Sequence, residues 1–371
     1  MATVNEKLID EAIDHAIDLH RFSNGAVRRI VALLNRTDSE LQAAIVEALL
    51  RLPADSFTVQ RLEELLGSVR QLNLSAMMQV EAALQGEMRD LADFEAAFQV
   101  AALQEAFPED ARALIRFQRI TPEQAYAAAM ARPFQGGLLR DWTKSLESSR
   151  AAKVRETIRQ GYVQGQTTDQ IVRKIIGTKA KGYRDGVIDR SRREVESVVR
   201  TALSHTSEMA REKALEANGD IIKAVRWVST LDSRTSELCR VRDGKTYTPE
   251  DHKPIGHKVP WLQGPGRLHF CCRSTQAPVT KSWRELGIDM DELEPSTRAS
   301  MDGQVSAELT YSKWLQRQSR TRQEEILGVT RAALVRDGKL PVDELYSDRG
   351  AYLTIEQLRA KYAETFKRAG L

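Results

Sequence analysis

Cysteine is scarce in this sequence, which contains only Cys239, Cys271 and Cys272 among its 371 residues. Small secreted proteins that depend on disulfides carry far more cysteine, so a disulfide scaffold is excluded and a reducing compartment is favoured. Aromatic residues are also few, at 6%, whereas hydrophobic and charged residues make up 42% and 29% of the chain. The last two values are ordinary for globular proteins and exclude wholesale disorder.

Long apolar runs are missing as well. No segment approaches the roughly 18 consecutive apolar residues of a membrane span. Residues 1–18 are acidic and amphipathic, and they lack the basic and apolar regions of a secretory signal. We therefore predict that the protein is made in the cytoplasm and does not associate with a membrane. The length predicts two or three domains.

The sequence also lacks the short motifs of common enzymes. A glycine-rich phosphate loop, an HExxH helix and a GxSxG elbow are all absent. We predict that the protein is not an enzyme and has no catalytic residues.

Charge is unevenly distributed along the chain. Residues 1–139 hold 13 Lys+Arg against 20 Asp+Glu, residues 140–215 hold 17 against 10, and residues 216–371 hold 25 against 22. The basic middle segment is the best candidate for contact with a polyanion such as DNA. Its proposed nucleic-acid-proximal residues are Arg173, Lys174, Lys179, Lys181, Arg192 and Arg193. Because acidic residues are interleaved with them, a solvated helical surface is the alternative.

Helical periodicity dominates the first part of the chain and predicts a helical N-terminal module over residues 1–137. Ile9, Ile13 and Ile17 share one helix face, and Thr37 with Glu40 has the pattern of a capping box that begins a new helix. Thr121 before Pro122 predicts another helix start. His15 has no partner at metal-ligand spacing and is predicted to lie at the surface or half-buried.

The pattern changes further along the chain. Residues 138–278 are predicted to form a core domain, in which a long helix over 188–217 precedes a strand at Ala224–Val228 and a turn-rich block over 229–278. Asp243-Gly244 predicts a hairpin turn between two extended pieces. Residues 279–371 are predicted as a helical C-terminal extension, in which Thr354 with Gln357 has a capping pattern. The predicted fold class is therefore mostly α with a small α+β domain, composed of a helical N-terminal module and a core of helix plus short strands.

The turn-rich block contains a dense group of chemically distinctive residues. We predict that some of them form a structural motif, in which carboxylates bind turn amides and arginines bind carboxylates. The residues of this motif are Asp232, Arg234, Thr235, Asp243, Gly244 and Arg273.

Three other residues of the block are candidate metal ligands. Cys239, His269 and Cys272 are donors that zinc accepts, and a zinc ion can replace the apolar core that such a block lacks. A fourth ligand would be Asp232, His252, His257 or Cys271. Zn is thus a possible cofactor. Two alternatives stay open, since the cysteines can also be small buried apolar residues or form a disulfide.

Catalysis by the same residues is a further alternative. Cys239 and His269 have the residue types of a nucleophile and its base, as in a thiol-dependent hydrolase. An Asp/His cluster could instead hold a metal for phosphodiester cleavage by a nuclease. Neither alternative has a supporting third element in the sequence.

At these residues the sequence resembles the phage Mu F-like head morphogenesis family, the minor head proteins of tailed phages, over about residues 155–278. The resemblance is carried by Arg200-Thr201, the Trp227 strand, Asp232-x-Arg234-Thr235-x-x-x-Cys239, Asp243-Gly244-Lys245, Pro260 and His269-x-x-Cys272-Arg273-Ser274. Two features depart from the family pattern, namely the long insertion between Lys245 and His269 and the additional Cys271.

The resemblance implies a structural role in the virion. It implies a minor capsid protein, present in few copies in the capsid interior or at the portal vertex, that acts in head assembly and in DNA packaging or delivery. The implied partners are the portal protein, the major capsid protein and, through non-specific contact, packaged DNA. Some relatives carry a toxin domain, so a delivered toxin is an alternative, although residues 279–371 hold no such motif.

Overall fold

The computed structural model describes residues 3–50, 59–289, 297–300, 303–306 and 309–371. Its first seven α-helices are α1 Val4–Leu50, α2 Val59–Ala106, α3 Glu109–Arg112, α4 Pro122–Ala131, α5 Leu139–Val163, α6 Thr168–Ile176 and α7 Val187–Ala217. The other six are α8 Glu237–Arg240, α9 Tyr311–Gln316, α10 Arg320–Leu327, α11 Val329–Arg336, α12 Ile355–Lys361 and α13 Ala363–Arg368. Short 3-10 helices span Lys179–Lys181 and Val342–Leu345. The predicted fold class, mostly α with a small α+β part, is confirmed.

Helix α1 is longer than the sequence pattern predicts. Thr37 does not begin a new helix, because α1 continues through it and its hydroxyl donates to the carbonyl of Leu34 at 2.9 Å. The predicted caps at Thr121 and Thr354 are correct, and each forms a capping box. Within the described ranges, no helix is both long enough and apolar enough to cross a bilayer.

The long helices pack around α7. Val27 and Ile30 of α1 and Val80 of α2 share one buried cluster with Val198 and Ala202 of α7. The N-terminal segment thus packs directly on the helix that leads into the turn-rich block.

A small antiparallel sheet follows α7. Its strands are β1 Ile222–Val228, β2 Thr246–Tyr247, β3 Pro254–Ile255 and β4 Thr275–Thr280, in the order β3-β2-β1-β4. Central strand β1 pairs with β4 from Ile222↔Thr280 to Val228↔Thr275. The predicted hairpin at Asp243-Gly244 is wrong in one respect, because the piece before the turn is the short helix α8 and not a strand.

The turn-rich block has its own buried aromatic residues. Trp227 and Trp261 meet edge to face with ring centroids 5.1 Å apart, and Tyr247 lies 4.8 Å from Trp261. All three belong to a cluster that also contains Leu8 of α1 and residues of α2. The apolar core of this block is therefore completed by side chains of α1 and α2, and the block does not depend on a zinc ion alone for support.

Hydrogen bonds that involve backbone groups connect the C-terminal residues 309–371 to the turn-rich block. Asp243 accepts a hydrogen bond from the backbone N–H of Tyr311 at 2.6 Å, and the Tyr311 hydroxyl donates to the carbonyl of Asp232 at 2.8 Å. Helices α9–α13 have a separate buried cluster that includes Trp314 and Phe366. A hairpin of β5 Thr297–Ser300 and β6 Gly303–Ser306, which the sequence pattern did not predict, precedes them.

Candidate metal centre

Two turns bring the three candidate ligands together. Ser236 caps α8 by accepting a hydrogen bond from the N–H of Cys239, which places this cysteine within the helix. His269 and Cys272 lie on one tight turn, in which the N–H of Cys272 donates to the carbonyl of His269 at 3.1 Å. The ligand atoms of the three residues all lie within 4.8 Å of one another. Among the described residues, this is the one group of three or more Cys, His, Asp and Glu with that geometry.

The distances inside the cluster are short. Cys239 Sγ lies 3.7 Å from Cys272 Sγ and 3.3 Å from His269 Nε2. Both cysteines are buried, at 1% and 2% exposure, and neither is in a disulfide. His269 Nδ1 lies 3.0 Å from the carbonyl of Phe270, to which it donates, so Nε2 faces the two sulfur atoms.

The three groups strongly affect one another's protonation. The hydrogen bond from Cys272 and the neighbouring His269 hold the pKa of Cys239 well below its ordinary value, against the effect of burial. The hydrogen bond with Cys239 and burial raise the pKa of Cys272 well above its ordinary value. The hydrogen bond with Cys239 also raises the pKa of His269. Cys239 is thus the more acidic thiol of the group, and the thiolate is the form of cysteine that binds a metal.

The four candidates for a fourth ligand lie elsewhere. Asp232 is occupied by the salt bridge described below, and His252 stacks on Trp261 at 4.4 Å between ring centroids. His257 Nε2 lies 2.9 Å from the carbonyl of Thr246. Cys271 is exposed, and its N–H donates to Thr201 Oγ1 at 3.0 Å. The atom nearest to the cluster is instead Ser236 Oγ, 2.8 Å from His269 Nε2, which the sequence analysis did not identify.

Asp232 and Arg273 link the two turns that carry the cluster. The carboxylate of Asp232 accepts the N–H groups of Arg234 and Thr235, both at 3.0 Å. It also accepts a bidentate pair of bonds from Arg273 at 2.6 and 2.9 Å. Bonds from Arg273, Thr235 and Arg234 lower the pKa of Asp232, although burial opposes them. Bidentate pairs of this kind hold two chain segments in a fixed orientation.

Asp243 and Gly244 link the block to the strands and to the C-terminal residues. Asp243 accepts the N–H of Ser229 at 2.6 Å, in addition to that of Tyr311. The N–H of Gly244 donates to the carbonyl of Trp227 at 2.9 Å. Gly244 has φ +76°, and a Cβ built there would lie 2.8 Å from Thr310 Cγ2.

We expect Gly244→Ala to destabilise the protein by about 2 kcal/mol, because a left-handed backbone and a steric contact both oppose the new methyl group. Gly256→Ala is the matched control: Gly256 has φ +75°, but nothing lies within 4 Å of its built Cβ. We expect Gly256→Ala to cost about 1 kcal/mol from backbone strain alone. Urea unfolding of both variants measures the difference, and equal losses would contradict the packing argument.

A cavity of about 1000 Å³ lies beside the cluster. Helices α1 and α7 and the two turns form its walls, with Ile17 and Leu231 among its apolar residues. His269, Cys272 and Ser236 line it, whereas Cys239 does not. Because Cys239 is buried at 1% exposure and does not line the cavity, a substrate there would not contact its sulfur, which disfavours the thiol-hydrolase alternative.

Four arginines line the same cavity, namely Arg21, Arg200, Arg234 and Arg273. Arg273 is bound to Asp232, whereas Arg200 donates to a neutral partner, Asn24 Oδ1, at 2.6 Å. The guanidinium of Arg234 is 80% exposed and lies 4.0 Å from Asp232. Burial lowers the pKa of His20, and the positive charges of Arg200, Arg273 and Arg234 lower it further. The cavity wall therefore has a positive potential.

A buried polar network under the cavity was not predicted. His15 is buried at 6% exposure, so the prediction of a surface or half-buried position is wrong. Its Nε2 lies 2.9 Å from Glu95, and its Nδ1 lies 3.1 Å from Arg211. Arg211 also donates to Glu208 at 2.9 Å. One signal in the sequence is that His15 lies on α1 between Ala12 and Leu19, close to the apolar face.

The proposed nucleic-acid-proximal residues divide into two groups. Arg173, Lys174, Lys179 and Lys181 are exposed around the end of α6, and Arg193 is exposed at the start of α7, 3.3 Å from Asp189. Arg192 instead donates to the buried carboxylate of Asp38 at 3.0 and 3.1 Å. This ion pair engages the guanidinium of Arg192, so Arg192 does not share the exposed position of the other five predicted residues. Arg184 and Arg190 lie in the same stretch and are exposed.

Comparison with known proteins gives one match. Residues 152–277, about a third of the chain, match the family model described as Phage Mu protein F like protein. This range includes α7, strands β1 to β3, the first half of β4, both turns and the three candidate ligands. No curated protein and no solved structure matches the chain.

Proposed function

We propose that this protein is a minor head protein of a tailed phage, because residues 152–277 match the phage Mu F-like family model. It acts in head morphogenesis and resides in the virion, in the capsid interior or at the portal vertex. Its partners are the portal protein and the major capsid protein, with packaged DNA as a non-specific contact. The family match is the observation that carries this proposal.

An uncharged face on α2 supports contact with another head protein. Residues 71–80 contain no Asp, Glu, Lys or Arg. Leu74 and Met78 are 46% and 62% exposed on this face, one helical turn apart. Exposed apolar residues in an uncharged stretch are typical of a protein-contact surface.

Fractionation of phage particles tests the head assignment. We expect the protein to sediment with assembled heads, and Leu74→Asp/Met78→Asp to reduce that association at least several-fold. Val329→Asp is the control, because Val329 is 66% exposed on α11, far along the chain. Absence of the wild-type protein from purified heads would overturn the proposed function, whereas equal loss in both variants would overturn only the role of α2.

The exposed basic residues between the end of α6 and the start of α7 support contact with packaged DNA. Residues 168–193 contain eight Lys and Arg but three Asp. Phosphates attract such a surface without sequence readout, and each neutralised phosphate adds about 0.9 to the salt dependence of binding.

We expect the triple variant Lys179→Gln/Lys181→Gln/Arg184→Gln to bind double-stranded DNA more weakly and with a slope against log[salt] that is smaller by about 2–3. The control is Lys361→Gln/Lys367→Gln/Arg368→Gln, which removes the same charge from exposed positions of α12 and α13. Fluorescence anisotropy at several salt concentrations measures both. Equal effects of the two triple variants would show that net charge, and not the basic segment 168–193, governs DNA binding.

A further inference from the structure

The Cys239, His269 and Cys272 cluster has no part in the proposed head contacts, and its geometry is that of a metal site. In tetrahedral zinc sites, bond lengths of about 2.3 Å to sulfur and 2.0–2.1 Å to nitrogen place two thiolates roughly 3.8 Å apart and a thiolate roughly 3.6 Å from an imidazole nitrogen. The corresponding distances here are 3.7 and 3.3 Å. A disulfide would instead require the sulfur atoms to lie about 2.05 Å apart.

The orientation of His269 also suits a metal. Its Nδ1 donates to the carbonyl of Phe270, which leaves Nε2 to face the sulfur atoms. Metal-binding histidines characteristically donate their second ring N–H to a carbonyl or carboxylate, because this bond fixes the tautomer and the ring orientation. The hydrogen bond that orients a metal-binding histidine is therefore already present at His269.

The direction of the fourth coordination position follows from the burial of the ligands. His269 and Cys272 of the cluster line the cavity together with Ser236, whereas Cys239 is buried and does not line it. None of the four candidates from the sequence reaches the cluster, as described above. A site with three protein ligands and an accessible fourth position accepts water or an exogenous ligand.

The cavity favours an anion at that position. Arg200 donates to the neutral Asn24, the guanidinium of Arg234 is 80% exposed at 4.0 Å from Asp232, and Arg273 adjoins the ligand Cys272. Guanidinium groups bind carboxylate and phosphate oxygens through charge-assisted hydrogen bonds.

We propose that Cys239, His269 and Cys272 bind one Zn²⁺ ion, and that its fourth position faces the cavity and accepts an anionic oxygen ligand of the carboxylate or phosphate class. The site binds a ligand, and no reaction is proposed for it. The site consists of described residues alone and is independent of the role in the phage head.

Metal analysis of the full chain tests the first part. After incubation with Zn²⁺ and desalting, we expect about one equivalent of zinc in the wild type and in Cys271→Ser, and less than about a tenth of an equivalent in Cys272→Ser. Cys271→Ser is a matched control because it changes the adjacent cysteine, which lies outside the cluster. Less than about a tenth of an equivalent in the wild type, or equal loss in both variants, would overturn the proposal.

A measurement on the wild type avoids the risk that a variant fails to fold. Co²⁺ bound by two thiolates and one imidazole is expected to give intense visible bands of tetrahedral cobalt and a sulfur-to-cobalt charge-transfer band. Thiol titration of the denatured, metal-free protein without reductant is expected to find three free thiols. Octahedral cobalt spectra, or one free thiol that reveals a Cys239–Cys272 disulfide, would overturn the proposal.

Anion titrations of the cobalt protein test the fourth position. Inorganic phosphate and acetate are the probes, and we expect at least one of them to shift the visible bands in a saturable manner. The more effective probe distinguishes a phosphate site from a carboxylate site. Arg200→Gln is expected to weaken that anion at least about tenfold while cobalt remains bound. Spectra that do not respond to either anion would overturn the open position while leaving the metal site intact.

Discussion

Asp38→Asn is expected to lower the free energy of unfolding by about 3–5 kcal/mol, because it leaves a buried positive charge without its partner. Asp38 and Arg150 are each 1% exposed and form a salt bridge between α1 and α5. Arg192 of α7 donates to the same carboxylate. One carboxylate thus neutralises two guanidinium groups from two other helices, and its replacement by an amide affects all three.

Urea unfolding followed by circular dichroism measures this effect. Asp18→Asn is the control, since the ion pair of Asp18 with Arg21 is 71–75% exposed and is worth less than about 1 kcal/mol. Addition of Arg150→Met to Asp38→Asn is expected to restore part of the loss, because the buried charge is then absent. A loss in Asp38→Asn no larger than that in Asp18→Asn would contradict the argument.

Acid is expected to destabilise the protein through His205, by about 3 kcal/mol between neutral pH and pH 4. His205 is fully buried on α7, and its Nε2–H donates to the carbonyls of Ala129 and Arg132 at 3.0 and 3.2 Å. Its Nδ1 has no hydrogen-bond partner among the described residues. Burial, and then the charge of Arg267, lower the pKa of His205 from 6.5 to about 4.

The direction of this pH effect follows from the different pKa of His205 in the folded protein and in the unfolded chain. Above about pH 6.5 the histidine is neutral whether the chain is folded or unfolded, so its full contribution to stability is present. As the pH falls toward 4, the unfolded chain takes up a proton that the folded protein does not, and this contribution is lost. Arg267 and Arg132 are the charged groups that act on the ring, and both are paired with Glu212.

His205→Gln is expected to make the pH dependence of stability shallower by about the same 3 kcal/mol, since glutamine can donate to the same carbonyls but does not titrate. His20→Gln, at an exposed position, should change it far less. Unfolding free energies from pH 7 to pH 4 measure both variants. A His205→Gln curve parallel to that of the wild type would show that other groups control the acid sensitivity.

Local sequence signals predicted structure well where the interaction is local. The caps at Thr121 and Thr354 were identified correctly, because a capping box joins residues three apart and needs no other part of the chain. The same reasoning failed at Thr37, where the pattern is identical but α1 is held as one helix by packing against α2 and α7. A capping pattern lowers the cost of ending a helix and does not compel it to end.

The sequence by itself determined the fold class, the family resemblance and the three residue types that suit a metal. Only the tertiary structure decided that Cys239, separated from His269 by thirty residues, lies 3.3 Å from it, and that Cys271 does not join them. It also decided that Arg192 binds Asp38, more than 150 residues away, and not solvent. The physical reason is that charge and donor type belong to each residue, whereas distance and burial arise when distant segments pack together.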